Sequence, residues 1–216
     1  MEGKGVVDHP VARQYDRWAS VYDRLWRHYV DQTIPVLWDA AAVQPGERVL
    51  DVGCGTGAFE THAIAAGAEN SMVGVDLSEK MLGRARAKCA DASQITFQQA
   101  DVHALPFSPD RFDVVVSGNT FHYFDAPDQA LAEMRRVLRP GGRIVILDWC
   151  QDFWMCRVMD RVLGVVDPAY RRCYGLSEMQ AFIDKAGLSR QRGERLRIGW
   201  IWGMMIIEAI VPTGSE

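Results

Sequence analysis

Apolar residues recur along this chain at two spacings, and the change from one to the other marks its organisation. Val11, Tyr15, Trp18, Tyr22, Leu25, Trp26 and Tyr29 follow one another mostly at helical steps, while Arg13, Asp16, Arg17, Asp23, Arg24 and Arg27 fill the positions between. This predicts an amphipathic helix with an unusually aromatic stripe. Asp31 or Thr33 is placed to cap a second helix running to about Ala42, with Pro35 in its tolerated first turn. The turn Gln44-Pro45-Gly46 then opens the main domain. Residues 1–44 are thus expected to form an N-terminal helical extension or lid, and residues 45–216 one main domain.

From there short apolar runs alternate with helical patterns. Strands are predicted at Arg48–Val52, Met72–Val75, Ile95–Gln98, Phe112–Ser117 and Arg143–Leu147. Helices are predicted from Ala58 to Ala66, after a Ser78 cap, and from Asp128 to Leu138, where Arg139-Pro140-Gly141-Gly142 stops the last of them. Continuous β-branched runs between helices indicate strands covered on both faces, as in a doubly wound parallel α/β sheet. The rhythm then changes. Helices at Phe153–Val166 and Ser177–Ala186 precede two strands, Leu188–Ile198 and Gly203–Val211, joined by a very short connection near Gly199–Trp202. A closing hairpin places at least one strand antiparallel to the rest.

The chain has 216 residues, 48% of them hydrophobic, which suits one well-buried domain with an extension. A net charge of −4 argues against a nucleic-acid partner. Arg190, Arg192, Arg195 and Arg197 form a basic strip that reads as the alternating solvated face of a strand. The five cysteines are irregularly spaced with no C-x-x-C. Cys150, Cys156 and Cys173 read as buried free thiols in preference to a soft-metal site, and no metal is expected. Met1 to Asp8 lack the character of a secretory leader, and no apolar run approaches a membrane span, so a cytoplasmic protein, monomer or homodimer, is expected.

Against this background one segment carries chemistry. Val49, Leu50 and Val52 lead into Gly53-Cys54-Gly55-Thr56-Gly57, a turn stripped of side chains so that a ligand can lie against bare backbone. With Ala58 it also satisfies the G-x-G-x-x-G/A dinucleotide fingerprint, so the turn by itself fits two cofactors. Three carboxylates bear on the choice. Asp51 stands two residues before the first glycine, where nicotinamide enzymes usually carry an apolar residue and where a cationic or zwitterionic ligand is welcomed. Asp76 ends the second strand and suits a ribose diol in either case, or a helix cap. Asp101, in Ala100-Asp101-Val102, suits the exocyclic amine of adenine, or a surface loop.

With these residues assembled, the chain resembles a class I S-adenosylmethionine-dependent methyltransferase. It is similar to the small type 11 group that includes the ubiquinone/menaquinone-biosynthesis C-methyltransferases. The resemblance runs from about Tyr15 to Leu147. It rests on Val49-Leu-Asp-Val-Gly-Cys-Gly-Thr-Gly57, Gly74-Val-Asp-Leu-Ser78 with Met81, Ala100-Asp101-Val102, Phe112-Asp-Val-Val-Val116 and Leu138-Arg-Pro-Gly-Gly142. It implies a Rossmann-like seven-stranded sheet in the order 3-2-1-4-5-7-6, with the last strand antiparallel. It further implies that Asp51, Gly53, Cys54 and Gly55 surround the methionine portion of the cofactor, Asp76 the ribose, and Asp101 with Val102 the adenine. Leu77 and Met81 would pack the adenine face, and Ser117 and Asn119 would lie beside the sulfonium.

Methyl transfer from a sulfonium demands mainly alignment and desolvation, with a general base only for a protonated acceptor. His122, after strand four, is the candidate base, or else only shapes the pocket. The segment around it, Gly118-Asn-Thr-Phe-His-Tyr-Phe124, lacks the (Asn/Asp)-Pro-Pro-Tyr motif of enzymes acting on adenine or amide nitrogens. The stretch Tyr15-Asp-Arg-Trp-Ala-Ser-Val-Tyr22-Asp23 resembles lids of the group, with Tyr22 touching the cofactor. Trp149, Phe153, Trp154, Trp200, Trp202, Met204 and Met205, with Asp148 beside them, give the second half an excess of large apolar groups. If some line the pocket, the small-molecule substrate is quinone-like, lipid-like or aromatic, and a lipid-like one allows peripheral membrane contact. A non-catalytic cofactor-binding module and an NAD-dependent oxidoreductase are the rival readings. Asp51, and the short chain after strand five, stand against the second of these.

Overall fold

A computed structural model describes residues 9–167, 169–199 and 202–213. The chain begins with α1 (Pro10–Ala41) and continues β1 (Val49–Val52), α2 (Ala58–Ala65), β2 (Met72–Asp76), α3 (Glu79–Lys88), β3 (Ile95–Gln99), β4 (Phe112–Gly118) and α4 (Pro127–Val137). It ends with β5 (Leu138–Trp149), α5 (Trp154–Val166), α6 (Leu176–Lys185), β6 (Ser189–Ile198) and β7 (Trp202–Ile210). The strands form one seven-stranded sheet in the order β3-β2-β1-β4-β5-β7-β6. β1 to β5 run parallel, and β7 runs antiparallel to both β5 and β6. The closing hairpin and the strand order agree with the sequence expectation.

Alternate strand residues serve opposite faces, as the pleat requires. Leu50, Val52, Val115, Ile144 and Ile146 pack with Leu131 and Met134 of α4 and Met179 and Ile183 of α6. Val49, Val114, Val116, Val145 and Leu147 pack on the other face with Leu37 and Ala41 of α1 and Phe59 and Ala63 of α2.

Two expectations are corrected. The N-terminal region is one helix and not two: α1 runs unbroken through Asp31 and Thr33, with Pro35 inside it. An interior proline costs about 3 kcal/mol. The helix absorbs that cost because its C-terminal half buries Tyr29, Thr33, Leu37 and Ala41, and each fully buried large apolar side chain is worth about 1.5–3 kcal/mol. It stops where Ala42 turns left-handed at φ 45° and Arg143 donates to the carbonyls of Ala41 and Ala42. Secondly, β5 is longer than Arg143–Leu147. Leu138 already pairs with Phe112, and the ladder then skips to Val114 opposite Arg143, so the proline-glycine segment is accommodated as an irregularity within the strand.

The arginines of β6 sit on the sheet edge. Arg190 pairs with Asp184 at 2.7 Å and Arg192 with Glu208 at 2.9 Å. Arg195 lies 3.8 Å from Asp152, and Arg197 covers the Phe153 ring. Charges of both signs on an outer strand guard against edge pairing. Cys150, Cys156 and Cys173 are buried and free, and the thiols of Cys156 and Cys173 donate to the carbonyls of Gly203 and Trp149. None of the described helices is long and apolar enough to cross a membrane. Met1 to Asp8 and Trp200, which entered the sequence reading, lie outside the described residues.

Candidate active site

Strand order reverses between β1 and β4, and a crevice opens beyond the carboxyl ends of such strands. The first cleft of the molecule lies there, with a volume of about 1040 Å³ counted to its open mouth. Its wall includes Tyr22, Asp51, Gly53, Cys54, Gly55, Asp76, Leu77, Met81, Asp101, Val102 and Asn119. One residue assigned to the cofactor from the sequence is not on it. Ser117 points into the sheet's packing, fully buried, and its hydroxyl has no hydrogen-bond partner.

The glycine turn is built for close approach. Gly53 adopts φ 74°, and a Cβ there would lie 2.5 Å from the Thr120 hydroxyl. Gly57, at φ 75°, leaves room for Ala85 of α3. The amides of Gly53 and Cys54 both bond to the Val75 carbonyl, at 2.8 and 3.0 Å, tying the turn to β2. Asp76 accepts from the Gly55 amide at 3.0 Å and from the Ser78 amide at 2.8 Å. Thus it fixes the turn and opens α3 at once, while still facing the cleft. Met81, buried beneath, has its own amide capped by the Ser78 hydroxyl. Asp101 accepts from the backbone amide and ring Nδ1 of His103, and that pairing holds its carboxyl below the usual range.

Beneath the turn lies a concentration of acid. Asp51 is buried, and its pKa is pushed well above the usual carboxylate range by desolvation, then by Glu60 and Asp76. Glu60 of α2 is wholly buried, neither of its oxygens has a hydrogen-bond partner, and burial pushes its pKa up to about 8. Carboxyls gathered this way favour a cationic ligand in the cleft above them.

α1 closes the cleft through a repeat of seven residues. Tyr15 and Tyr22 both line it, and each is followed by an aspartate that latches onto the main domain. Asp16 accepts from the Ser78 hydroxyl at 2.6 Å. Asp23 accepts from the Thr56 hydroxyl at 2.6 Å and pairs with Lys88 at 2.8 Å. Asn119, left-handed at φ 58°, holds the end of β4 against the same helix. Its side chain accepts from the Tyr29 hydroxyl at 2.6 Å and donates to the Thr33 hydroxyl at 3.1 Å. The Tyr29 hydroxyl in turn accepts from Trp149 Nε1 at 2.7 Å.

A second cleft, about 1250 Å³ to its mouth, adjoins the first across Tyr15, Tyr22, Asn119 and Tyr123, which line both. Its other walls are mostly apolar: Trp18, Leu25, Trp26 and Tyr29 from α1, Trp149 from β5, and Met159, Leu163 and Val166 from α5. His122 lines this cleft and not the first. Its ring stacks on Trp149, with centroids 4.9 Å apart and planes 5° from parallel. Nδ1 lies 2.6 Å from Asp148 Oδ1, and the His122 amide donates to Asp148 Oδ2 at 3.0 Å. Asp148 also accepts from the Trp149 amide at 2.6 Å. A carboxylate that accepts throughout requires the imidazole proton on Nδ1, which leaves Nε2 its lone pair. Sequence reasoning named His122 as the base candidate, Asp148 only among the residues of the second half, Tyr29 only in the aromatic stripe and Thr33 only as a cap, and it joined none of them to His122 or Asn119. Trp200 of the aromatic set is outside the described residues, while Phe153, Trp154, Trp202, Met204 and Met205 do not line either cleft. Among the described residues no group of three His, Cys, Asp or Glu side chains is arranged to hold a metal.

Residues 50–146 match the family model described as a methyltransferase domain. The chain is 35% identical over 151 residues to the ubiquinone/menaquinone biosynthesis C-methyltransferase UbiE of Teredinibacter turnerae, covering 66% of this chain and 58% of that protein. It is 38% identical over 144 residues to the demethylmenaquinone methyltransferase of Clavibacter sepedonicus, covering 64% and 58%. In structure it is similar to a chain from the complex of the Haloferax volcanii Trm112 methyltransferase activator with a methyltransferase. That superposition has a TM-score of 0.81 at 21% identity and covers 92% of this chain and 97% of that one. The chain spans about half the length of the curated relatives it matches.

Proposed function

We propose that this protein methylates a small apolar or aromatic molecule, with S-adenosylmethionine as donor, because residues 50–146 match a methyltransferase domain and the sheet has the Rossmann-like order expected of such a domain. The observation that carries this reading is the pair of clefts sharing Tyr15, Tyr22, Asn119 and Tyr123 as a common wall. One sets Asp51, Asp76 and Asp101 beside bare glycine backbone in an otherwise mostly apolar wall; the other is aromatic.

The residues of the first cleft fit the donor. Asp51, Gly53, Cys54 and Gly55 would hold its methionine portion, the buried carboxyls answering its cationic groups. Asp76 would take the ribose hydroxyls, Asp101 and Val102 the adenine edge, and Leu77 and Met81 the adenine face. Tyr22 would close over it from α1. Asn119, pinned by Tyr29 and Thr33, stands at the boundary where donor and acceptor meet. Ser117, with its hydroxyl buried within β4 and off the cleft wall, has no part in holding the donor.

S-adenosylmethionine supplies a methyl group already activated on sulfur, so the protein's share is alignment, exclusion of water and removal of an acceptor proton where there is one. His122 performs the last task. Asp148 holds the imidazole with Nδ1 protonated, and Nε2 takes the proton from a phenol-like hydroxyl or an activated ring carbon of the acceptor. Trp149, stacked on the imidazole, fixes its plane and presents an aromatic surface to a planar acceptor. The quinone substrates in the names of the two bacterial relatives are consistent with such a wall.

Calorimetry with S-adenosylmethionine, S-adenosylhomocysteine and NAD tests the donor: NAD binding without the other two would sink the reading. A labelled-methyl screen against quinones, phenols and lipids then tests the acceptor. Transfer confined to hydrophilic acceptors would exclude the aromatic cleft as its site.

A further inference from the structure

Large apolar side chains left exposed among the described residues are confined, Ile64 apart, to α1 and α5. They are Trp18 and Leu25 on α1, and Trp154, Val158, Val162, Val165 and Val166 on α5. Trp18, Leu25 and Val166 also line the second cleft, although they are 49%, 55% and 65% exposed. The mouth of that cleft is therefore an apolar lip open to water. On α5 the apolar arc is continuous: Met159, Leu163 and Val166 face the cleft, and Val158, Val162 and Val165 follow round the helix into solvent. Contiguous apolar surface of this kind marks an interaction site.

Cations border the lip on both helices. The seven-residue repeat of α1 reads Tyr15-Asp16-Arg17-Trp18 and Tyr22-Asp23-Arg24-Leu25. Each turn thus supplies a cleft-lining tyrosine, an inward-bonded aspartate, an exposed arginine and an exposed apolar residue. On α5, Arg157 and Arg161 are exposed beside Trp154, Val158 and Val165. Among the described residues no acidic partner meets the guanidinium groups of Arg17, Arg24, Arg157 or Arg161. The carboxylates of these stretches are turned away: Asp16 and Asp23 bond to Ser78 and Thr56, and Asp160 to the Tyr170 hydroxyl and the Cys173 amide. In a chain of net charge −4, a face with unpaired arginines and apolar side chains is a local exception.

We propose that this face of α1 and α5 docks on an anionic lipid surface and sets the mouth of the second cleft against the bilayer. Valines and tryptophans entering the headgroup region, ringed by arginines, have the composition of an interfacial helix. A second copy of this chain fits less well, since a two-fold contact through this face sets its arginines against one another. The delivery role rests on the reading of the second cleft as the acceptor site: a lipophilic acceptor would pass from bilayer to cleft without crossing water.

Vesicle flotation with the full chain tests the docking, comparing phosphatidylcholine alone with phosphatidylcholine containing phosphatidylglycerol. Binding is expected only to the anionic vesicles and weakens as salt rises. Arg157→Ala and Arg161→Ala should each weaken it about fivefold, and Val158→Glu with Val165→Glu should abolish it. These side chains line neither cleft, so S-adenosylmethionine affinity and methylation of a water-dissolved acceptor should stay unchanged in the variants. Vesicle binding in a chain that fails to bind S-adenosylmethionine would support the docking face and refute the methyltransferase reading alone. Absent or composition-independent vesicle binding would overturn the proposal. So would a dimer in sedimentation analysis that Val158→Glu dissociates, which would make this face a self-association surface.

Discussion

His122 Nδ1 stands 2.6 Å from Asp148 Oδ1; both side chains are buried, and His122 lines the aromatic cleft. With the His122 and Trp149 amides also donating to it, Asp148 has no proton to offer, and this pairing decides which imidazole nitrogen is basic. Asp148→Asn turns one oxygen into an amide that donates, driving the imidazole proton to Nε2 and leaving no lone pair toward the cleft. General-base catalysis is worth about 10²–10⁴-fold. The expected result is a fall of that size in kcat, with S-adenosylmethionine affinity unchanged. His122→Gln should behave alike. An unchanged kcat in both variants would remove the base from the mechanism.

Asp76 serves the glycine turn and the cleft together, and its two amide contacts separate the roles. Asp76→Asn retains an acceptor for one amide but loses the charge that two ribose hydroxyls would meet. A hydrogen bond to a charged group is worth about 1 kcal/mol more than one to a neutral group, so losing that margin at two hydroxyls should lower S-adenosylmethionine affinity by about tenfold to a hundredfold. Calorimetry reads this directly, with adenine alone as a control that the carboxylate should not affect. Equal affinities for wild type and variant would refute the ribose assignment.

Tyr29 joins three elements through one oxygen, donating to Asn119 and accepting from Trp149 Nε1. Tyr29→Phe leaves both partners short of a bond in a buried setting, where an unsatisfied polar group costs about 1–3 kcal/mol. For a chain of this size that corresponds to a drop of roughly 2–4 °C in melting temperature per kcal/mol. Because Asn119 stands at the shared wall, kcat should fall as well. A stability loss with full activity would show that Asn119 holds its place without α1.

The order of strands and helices was legible because each strand announces itself locally. Val114, Val115 and Val116 need no partner in sequence to read as a strand covered on both faces, and Gly53 to Gly57 place the turn within a residue. Contacts between distant elements were not legible. Tyr29 and Trp149 are separated by 120 positions, and nothing in either segment specifies their bond. Asp148 at the end of β5 resembles an ordinary strand-terminal aspartate until β4 brings His122 beside it. Pro35 misled because local propensity favours a break, whereas burial along β4, β5 and β7 holds the helix straight through. Glu60 gave a faint signal: it lies between Phe59 and Ala63 on the buried side of α2, where an apolar residue is expected.

Glu60 ties stability to pH. Its carboxyl is sealed behind the glycine turn with Asp51 and Cys54 nearby, and burial raises its pKa to about 8 from an ordinary value of 4.5. Between those values the folded chain keeps the proton and the unfolded chain releases it, so the unfolded state binds fewer protons and stability falls as pH rises. The slope is about 1.4 kcal/mol per pH unit for one such group, and it flattens once the folded carboxyl ionises too. Glu60→Gln keeps the shape of the neutral acid and removes the titration. Urea denaturation should show the variant and the wild type equally stable near pH 4.5, with the variant's advantage growing through neutrality and levelling off above about pH 8. A difference that stays constant with pH would mean that Glu60 is already ionised in the folded protein. A cation in the cleft would then be needed to keep it there, and adding S-adenosylmethionine would stabilise the wild type more than the variant.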